Sequence, residues 1–143
     1  MRTLALGVFL ALAQAQTPET RFVVFPADTN HNGTLFGGKV LSEMDRMAGI
    51  TTRLFLDQPA SKARDAVTVG VSKVRFLKPG HVKDLVVVSG LVTGAGEKSV
   101  TVSVKVERVT AGGRELLADA EFTFVAYDFK EKKSVAHGLT LEK

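Results

Sequence analysis

The spacing of hydrophobic residues predicts one long helix in a chain that otherwise reads as strands. Between Gly37 and about Leu56, apolar side chains recur every three or four residues, which is the period of one helix face. The positions on that face are Val40, Met44, Met47, Thr51 and Leu54. The adjacent stripe of the same helix consists of Leu41, Asp45, Ala48 and Thr52. An acidic residue, Asp45, is therefore predicted to lie beside the apolar face and not opposite it.

Other segments are typical of strands. Thr20–Phe25 is β-branched and aromatic and stops at Pro26, and Leu85–Val92 is nearly continuous in apolar residues, as in a strand covered on both faces. Three further segments alternate strictly, with predicted inward residues Val67, Val69 and Val71, then Val100, Val102, Val104 and Val106, then Leu116, Ala118, Ala120, Phe122 and Phe124. Turn-forming residues separate the strands at Pro79-Gly80, Gly94–Glu97 and Ala111–Gly113.

This order of elements predicts the fold class. Strands joined by short turns must pair in an antiparallel way, and one long amphipathic helix needs one apolar sheet face to cover. Residues 17–143 are therefore predicted to form a single α+β domain, in which a curved antiparallel sheet wraps a central helix.

Residues 1–16 form an N-terminal apolar extension of a different kind. Arg2, the apolar run Leu4–Leu12 and the sequence Ala13-Gln14-Ala15 follow the pattern of a secretory signal peptide. The run is too short to span a bilayer. An extra apolar element packed on the domain, or a start codon placed too far upstream, would give the same pattern.

The amino-acid composition excludes several kinds of functional site. A chain of 143 residues suits one domain, and the lack of cysteine excludes disulfides, thiolate metal sites and cysteine nucleophiles. Three widely spaced histidines predict no metal site. The net charge of +4 suits a phosphorylated ligand as readily as nucleic acid.

A polar loop followed by two glycines is the most unusual segment. Ala27–Phe36 is rich in turn-forming side chains, and Gly37 and Gly38 then open the predicted helix. The first N–H groups of a helix have no intrahelical partner and carry partial positive charge, so they can stabilise a carbonyl oxygen that becomes negative. Without Cβ atoms, the glycines let a ligand approach closely. A tight turn with close helix–sheet packing explains a glycine pair equally well.

At these residues the sequence resembles a family. Asn30–Gly38 (NHNGTLFGG) and Met44-Asp45 resemble the signature of hotdog-fold acyl-CoA thioesterases, above all bacterial short-chain acyl-CoA thioesterases and cytosolic brain-type acyl-CoA hydrolases. Phe76-Leu77-Lys78-Pro79 is similar to a later segment of that family, and the resemblance spans roughly Thr20 to Asp128. It implies a hotdog fold that hydrolyses acyl-CoA to a carboxylic acid and CoA. No cofactor is expected, because CoA is part of the substrate.

The resemblance also implies roles for individual residues. Asp45 matches the catalytic carboxylate, Asn30 the catalytic asparagine, and Gly37 with Gly38 the helix start that holds the thioester oxygen. A half-buried carboxylate has its pKa raised by desolvation, which would suit Asp45 as a general base on water. Direct attack by Asp45, giving a mixed anhydride, stays open, and His31 is the reserve base.

Helix geometry bears on how this site is assembled. Asp45 follows the glycine pair by seven or eight residues, or roughly 11–12 Å at 1.5 Å per residue, so it cannot easily reach a carbonyl at the start of its own helix. The simplest explanation is that a second subunit supplies the other half of the active site, which gives two composite sites per homodimer. The resemblance also implies this arrangement. A trimer of such dimers is the expected larger assembly.

Substrate contacts follow from the chemistry of CoA. Its phosphates require basic side chains, for which Arg75 and Lys78 are favoured by the resemblance around them, with Lys98 and Ser99 after the Gly94–Glu97 turn as further candidates. The acyl chain is expected between subunit helices, near Met44 and Met47.

Three other functions fit the sequence less well. A hotdog dehydratase would need an active-site histidine, and none lies at a comparable helix position. A non-catalytic acyl-CoA-binding regulator would have no need of Asp45 beside Asn30. The scattered charge gives little support to a nucleic-acid-binding domain. We therefore expect acyl-CoA as the partner, no nucleic acid and no stable membrane insertion. The expected location is the cytoplasm, where CoA is, with export as the alternative if residues 1–15 are cleaved.

Overall fold

The computed structural model describes residues 17–141, so the predicted signal in residues 1–16 lies outside the described residues. One helix, α1 (Gly37–Leu56), follows strand β1 (Glu19–Val23) and a 3-10 turn at Pro26–Asp28. The remaining strands are β2 (Ala66–Phe76), β3 (Leu85–Ala95), β4 (Ser99–Thr110), β5 (Gly113–Asp128) and the two-residue β6 (Lys133–Ser134). The predicted α+β architecture is confirmed.

The strands form one antiparallel sheet in the order β1-β3-β4-β5-β2, with β6 pairing to the end of β5. Helix α1 packs mainly on β3 and β4, in the middle of the sheet. Alternate β4 residues point at the helix and are fully buried, as the alternation predicts: Val100, Val102, Val104 and Val106. The predicted turns fall between β3 and β4 and between β4 and β5, where the strands reverse.

The bounds of α1 agree with the predicted helix, but its last turn faces differently. Met44 and Met47 are buried as predicted, whereas Leu54 is 55% exposed. The buried positions near the end are instead Thr52 and Leu56, from the neighbouring stripe. A straight helix has 3.6 residues per turn, so its buried face drifts away from a strict three-and-four spacing over five turns.

Register shifts in β5 and β2 change some of the predicted faces. The pairing of β4 with β5 shifts between Val106 and Glu107, and Leu117, predicted to face outwards, is buried in the core. In β2 the shift between Thr68 and Gly70 places Thr68 opposite the buried Phe124, on the same face as Val71, which pairs with the buried Phe122. Val69 and Val71 are 58% and 46% exposed on this edge strand. A bulge adds one residue to one strand and so moves the side chains beyond it to the other face.

Strand β3 is covered on both faces only along its first half. Val86, Val87 and Val88 are consecutive and all fully buried, as the apolar run predicts. Leu91, in the second half of the strand, is 56% exposed. Among residues 17–141, no helix combines the length and hydropathy that a membrane crossing requires.

Candidate active site

The loop between β1 and α1 is held together by the side chain of Asn30. Its Oδ1 accepts hydrogen bonds from the backbone N–H groups of Asn32 (2.9 Å) and Thr34 (3.2 Å). Its Nδ2 lies 3.0 Å from Thr34 Oγ1. The loop occupies the carbonyl oxygen and one N–H of Nδ2, which leaves one N–H of the carboxamide as a hydrogen-bond donor. Neighbouring His31 is exposed.

The start of α1 has no side-chain cap, since the N-cap residue is Phe36. Among residues 17–141, no side chain caps the first N–H groups of the helix, so they remain available as hydrogen-bond donors. The two glycines differ in their surroundings. A Cβ on Gly38 would meet only the outer edge of the exposed Phe36 ring, which is free to turn, and one on Gly37 would meet the Phe76 ring at 3.6 Å, an ordinary contact.

Asp45 is exposed in the single chain and not half-buried as predicted. It lies one residue beyond the buried Met44, and consecutive helix residues point about 100° apart, so the side chain leaves the core face. The Thr68 hydroxyl of β2 donates a hydrogen bond of 3.0 Å to Asp45 Oδ1. This contact fixes the carboxylate against the edge of the sheet.

Thr68 is the residue that the sequence analysis missed. Its alternation with Val67 and Val69 marks it only as a polar strand position. Its partner lies 23 residues earlier on a different element. Only the pairing of helix and strand reveals the contact, and a single sequence carries no direct signal for it.

Within one protomer, the predicted catalytic residues fall into two separate groups. Gly37 lies beside Phe76, at one end of β2, and Asp45 contacts Thr68, near the other end. The helix is unbroken between Gly37 and Asp45, so the two are about 12 Å apart along its axis. One chain by itself therefore does not bring Asp45 to the start of α1.

Arg75 and Lys78, predicted to bind phosphate, already have acidic partners. Arg75 Nε donates to Asp119 Oδ1 at 2.8 Å, and the guanidinium makes a second close contact with the same carboxylate. This hydrogen bond is the main reason that the pKa of Asp119 is lowered. Lys78 Nζ lies 2.7 Å from Glu115 Oε1. A phosphate would have to compete with these carboxylates.

Lys98 and Ser99 lie at the opposite end of the sheet. Lys98 Nζ is 3.3 Å from the Ser134 hydroxyl, and Ser99 Oγ accepts from the Gly96 N–H, closing the turn. Ser99 pairs with β5 six residues beyond the position of Asp119, or about 20 Å along the strand. The four predicted CoA contacts therefore do not form one patch on a single protomer.

Met44 and Met47 are 0% and 1% exposed and pack between the helix and the sheet. The prediction that they contact an acyl chain is wrong for this protomer. Both lie on the buried stripe of α1, so they fill the core and line no open surface.

An open cavity of about 310 Å³ lies beside the start of the helix. Its walls are the first turn of α1 at Gly37, Thr34 of the preceding loop, the end of β2 at Phe76 and the turn at Lys78–Gly80. Thr34 is the residue to which Asn30 is hydrogen-bonded. The cavity thus adjoins the start of α1 and, through Thr34, the side chain of Asn30.

A cluster of charges holds the turn beside this cavity. Arg108 contacts Glu115 and Asp84, and its Nη1 lies 3.4 Å from the carbonyl oxygen of Pro79. Hydrogen bonds from Arg108 first, and from Lys78 second, lower the pKa of Glu115 from its ordinary 4.5 to about 2.

The lowered pKa of Glu115 predicts a pH dependence of stability. A carboxyl whose pKa falls on folding stabilises the folded state above its unfolded pKa, here 4.5, and loses that contribution as the pH falls towards about 2. Glu115→Gln should therefore lower the Tm at pH 7, and the gap to wild type should close between pH 4.5 and 2. Glu97→Gln, at an exposed residue that makes no ion pair in the described chain, is the control. A gap that stays constant down to pH 2 would contradict this role.

Among residues 17–141, no three His, Cys, Asp or Glu side chains lie together as metal ligands would. The groups at the candidate site are a carboxylate, a carboxamide, a hydroxyl and backbone amides. These groups can take a proton from water and stabilise an oxyanion.

Known proteins are similar to this chain in sequence. Residues 32–113 match the Thioesterase superfamily. The chain is 41% identical to YkhA of Bacillus subtilis, named as an uncharacterized acyl-CoA thioester hydrolase, over 82% of this chain and 72% of YkhA. It is 34% identical to the acyl-CoA thioester hydrolase YciA of Escherichia coli, over 76% of this chain and 81% of YciA.

Two solved structures extend the likeness to the fold. An acyl-CoA hydrolase of Staphylococcus aureus, solved with butyryl coenzyme A, coenzyme A and coenzyme A disulfide, is 32% identical with a TM-score of 0.75, over 89% of this chain and 75% of that one. The hexameric thioesterase of Yersinia pestis is 33% identical with a TM-score of 0.70, over 82% and 92% of the two chains. The chain therefore belongs to the thioesterase superfamily and has the hotdog fold of its acyl-CoA thioesterases.

Proposed function

We propose that this protein hydrolyses acyl-CoA thioesters at sites shared between two subunits. One subunit supplies Asp45 with Thr68, and the other supplies Asn30 and the amides of Gly37 and Gly38. The observation that carries the proposal is the carboxylate of Asp45, held by Thr68 on an exposed sheet edge. An exposed, oriented carboxylate can meet a second subunit there.

In the proposed reaction, Asp45 takes a proton from water as the water oxygen attacks the thioester carbon. The carbonyl oxygen becomes negative and accepts hydrogen bonds from the helix-start amides and from the Asn30 N–H. Collapse of this intermediate breaks the C–S bond, and the proton passes from Asp45 to the departing CoA thiolate. The products are a carboxylic acid and CoA. Attack by Asp45 itself would give the same products through an anhydride that water hydrolyses.

The spacing of two residues supports these roles. In the Staphylococcus aureus hydrolase, structures were solved with an asparagine or an aspartate replaced by alanine, and the two positions are 15 residues apart. Asn30 and Asp45 are also 15 residues apart. A threonine was replaced in a third variant of that enzyme. We infer that Asn30 and Asp45 correspond to that asparagine and aspartate. That threonine follows the aspartate by 17 residues and Thr68 follows Asp45 by 23, so the role of Thr68 rests on its hydrogen bond to Asp45.

The exposed edge of the sheet supports the shared site. Within the described residues β2 pairs only with β5, and Val69, Val71 and Phe76 are 58%, 46% and 55% exposed. An unpaired apolar edge readily accepts another strand. If two copies of β2 pair antiparallel about their centres, the Thr68 end of one strand meets the Phe76 end of the other. Asp45 of one subunit would then face the cavity of its partner.

Larger assembly and CoA binding follow from the same arrangement. Two hexameric thioesterases are among the structural relatives, and we propose a trimer of dimers for this chain. Native mass spectrometry should give the mass of six chains, and a dimer alone would contradict the proposal.

Arg75 and Lys78 are proposed contacts for the CoA phosphates, and Lys98 and Ser99 would reach CoA from a neighbouring subunit. If Lys78 binds phosphate, Lys78→Met should raise KM severalfold and leave kcat unchanged, because the contact is equal in ground and transition states. An unchanged KM would remove Lys78 from the binding site.

A thiol-detecting assay tests the activity itself. Purified protein with acetyl- to palmitoyl-CoA should release free CoA from at least part of the series. Tight binding of acyl-CoA without release across the whole series would favour a non-catalytic regulator instead.

We propose that the enzyme acts in the cytoplasm. CoA thioesters are found there, and the intact mass of protein from its native host should include residues 1–16. Loss of residues 1–15 would indicate export.

A further inference from the structure

We propose that His137 is a positioning residue, which holds the β3–β4 turn (Gly96–Ser99) in the shape that binds a phosphate group of CoA. This role rests on the proposed function, in which Lys98 and Ser99 reach CoA from a neighbouring subunit. His137 follows Ser99 by 38 residues and is 0% exposed, so it does not touch the substrate itself. It acts through the turn.

Both ring nitrogens of His137 are bound to backbone groups. The Leu139 N–H donates to Nδ1 at 3.0 Å, so Nδ1 carries no proton. In the neutral ring the proton then lies on Nε2, which donates to the Ser99 carbonyl oxygen at 3.0 Å. The ring also meets Phe55 of α1 edge to face, with the ring centroids 5.9 Å apart. These three contacts fix the direction in which Nε2 donates.

Three consecutive carbonyl oxygens of the β3–β4 turn are bound by other parts of the domain. The Glu97 oxygen accepts a hydrogen bond from the backbone N–H of His137 at 3.2 Å. The Lys98 oxygen accepts one from the Ala126 N–H at 2.8 Å. The Ser99 oxygen accepts the bond from the His137 ring. His137 therefore binds the turn on both sides of Lys98, once through its backbone and once through its ring.

The bound carbonyl groups also fix the direction of the donors on the turn. In a trans peptide, the N–H of one residue points opposite to the carbonyl group of the residue before it. Because the Glu97 carbonyl faces His137, the Lys98 N–H points away from His137. The Lys98 side chain is exposed, and its ammonium lies 3.3 Å from the Ser134 hydroxyl. A backbone N–H and an ammonium on one turn together suit a phosphate group.

Lys98 differs from the other proposed phosphate contacts in its partners. Arg75 and Lys78 are each bound to a carboxylate, with which a phosphate would have to compete. Lys98 makes no ion pair with any residue in the described part of the chain. A phosphate at Lys98 therefore displaces only a neutral hydroxyl.

The β3–β4 turn lies at the same end of the sheet as Asp45. Ser99 pairs with Val125 of β5, which in turn pairs with the residue before Thr68 on β2. Two strand spacings, or about 10 Å, therefore separate the turn from Thr68, the partner of Asp45. The subunit that supplies Asp45 to a shared site would thus bring its turn to the same substrate.

Two substitutions separate the two hydrogen bonds of the ring. The amide of glutamine extends about as far as Nε2, so His137→Gln keeps a donor for Ser99 and loses the acceptor for Leu139. The shorter amide of asparagine extends about as far as Nδ1, so His137→Asn keeps the acceptor for Leu139 and loses the donor for Ser99. His137→Leu loses both bonds but suits a buried position, and it replaces His137→Asn if that variant does not fold.

Two further variants serve as references. Lys98→Met removes the proposed phosphate contact directly. Thr51→Val is the matched control for stability, because the Thr51 hydroxyl makes another buried hydrogen bond from a side chain to the backbone, at 2.8 Å to the Met47 carbonyl oxygen.

The measurement is kcat and KM for one acyl-CoA and for the same acyl group on pantetheine, which lacks the nucleotide and its phosphates. His137→Asn and Lys98→Met should each raise KM for acyl-CoA about tenfold and leave kcat within about twofold, as expected when a bond to a charged group is lost from both ground and transition states. His137→Gln and Thr51→Val should stay within about threefold of wild type. With acyl-pantetheine, KM should agree within about twofold for all variants. Partial unfolding cannot imitate this pattern, because KM does not depend on the amount of folded enzyme.

The outcomes separate this inference from the proposed function. An unchanged KM in His137→Asn or Lys98→Met, or a rise as large in His137→Gln as in His137→Asn, would overturn the positioning role and leave hydrolysis intact. An equal rise of KM for acyl-CoA and acyl-pantetheine would also overturn it, because the turn would then not act on the phosphates. A wild type that releases no CoA from any acyl-CoA would overturn the proposed function and this inference with it.

Discussion

Replacement of Asp45 by asparagine is expected to lower kcat for acyl-CoA hydrolysis about a thousandfold. General base catalysis contributes about 10²–10⁴ to a rate, and asparagine cannot take the proton from water. The side chain keeps its shape, and its carbonyl oxygen can still accept the hydrogen bond from Thr68. KM should therefore change by less than about threefold, because the binding groups remain in place. Steady-state assays on the purified variant give both constants.

Variants of Thr68 supply the comparison for Asp45. Thr68→Val removes the hydroxyl but leaves the carboxylate, so the rate should fall only about tenfold, as expected when an orienting hydrogen bond worth 1–2 kcal/mol is lost. Thr68→Ser keeps the hydroxyl and should retain most of the rate. If Asp45→Asn kept full activity, the base would lie elsewhere, and exposed His31 would be the first residue to examine.

The sequence predicted the elements of this fold well because their signals are local. A helix of 20 residues and strands with strict alternation repeat their patterns many times, so the bounds of α1 and the buried face of β4 agree with the structure. Bulges depend on single residues in the pairing of two strands, and they reversed the predicted faces of Leu117 and Thr68. The alternation of apolar and polar residues does not reveal a one-residue shift in strand pairing.

The candidate site was predictable only in part. The resemblance placed Asn30 and Asp45, and helix geometry separated Asp45 from Gly37, since both follow from positions along the chain. The partner of Asp45, Thr68, could not be predicted, because the contact joins distant segments. The acyl contact assigned to Met44 and Met47 was wrong, because an apolar stripe cannot distinguish residues that fill the core from residues that line a surface. The cavity beside Gly37 depends on the packing of three elements.

A single chain does not bury the carboxylate of Asp45. The single chain leaves the carboxylate exposed, and the exposed edge of β2 runs directly beside it. Association through that edge would cover apolar surface and would at the same time shield Asp45 from water. The same contact would thus stabilise the dimer and complete the site.

Mixing two inactive variants tests the shared site most directly. Asn30→Ala and Asp45→Ala subunits, carrying different tags, are co-expressed so that dimers form at random. A heterodimer then has one site that carries both substitutions and one site that carries neither. With equal expression, half of the dimers are heterodimers, and about a quarter of the sites are intact.

With a shared site, the mixture should recover about a quarter of wild-type kcat per subunit, and heterodimers purified through both tags should recover about half. Each parent alone should stay at least a hundredfold below wild type. If no mixture exceeds its inactive parents, while the doubly tagged heterodimer is shown to be folded and present, then Asn30 and Asp45 do not act together across subunits.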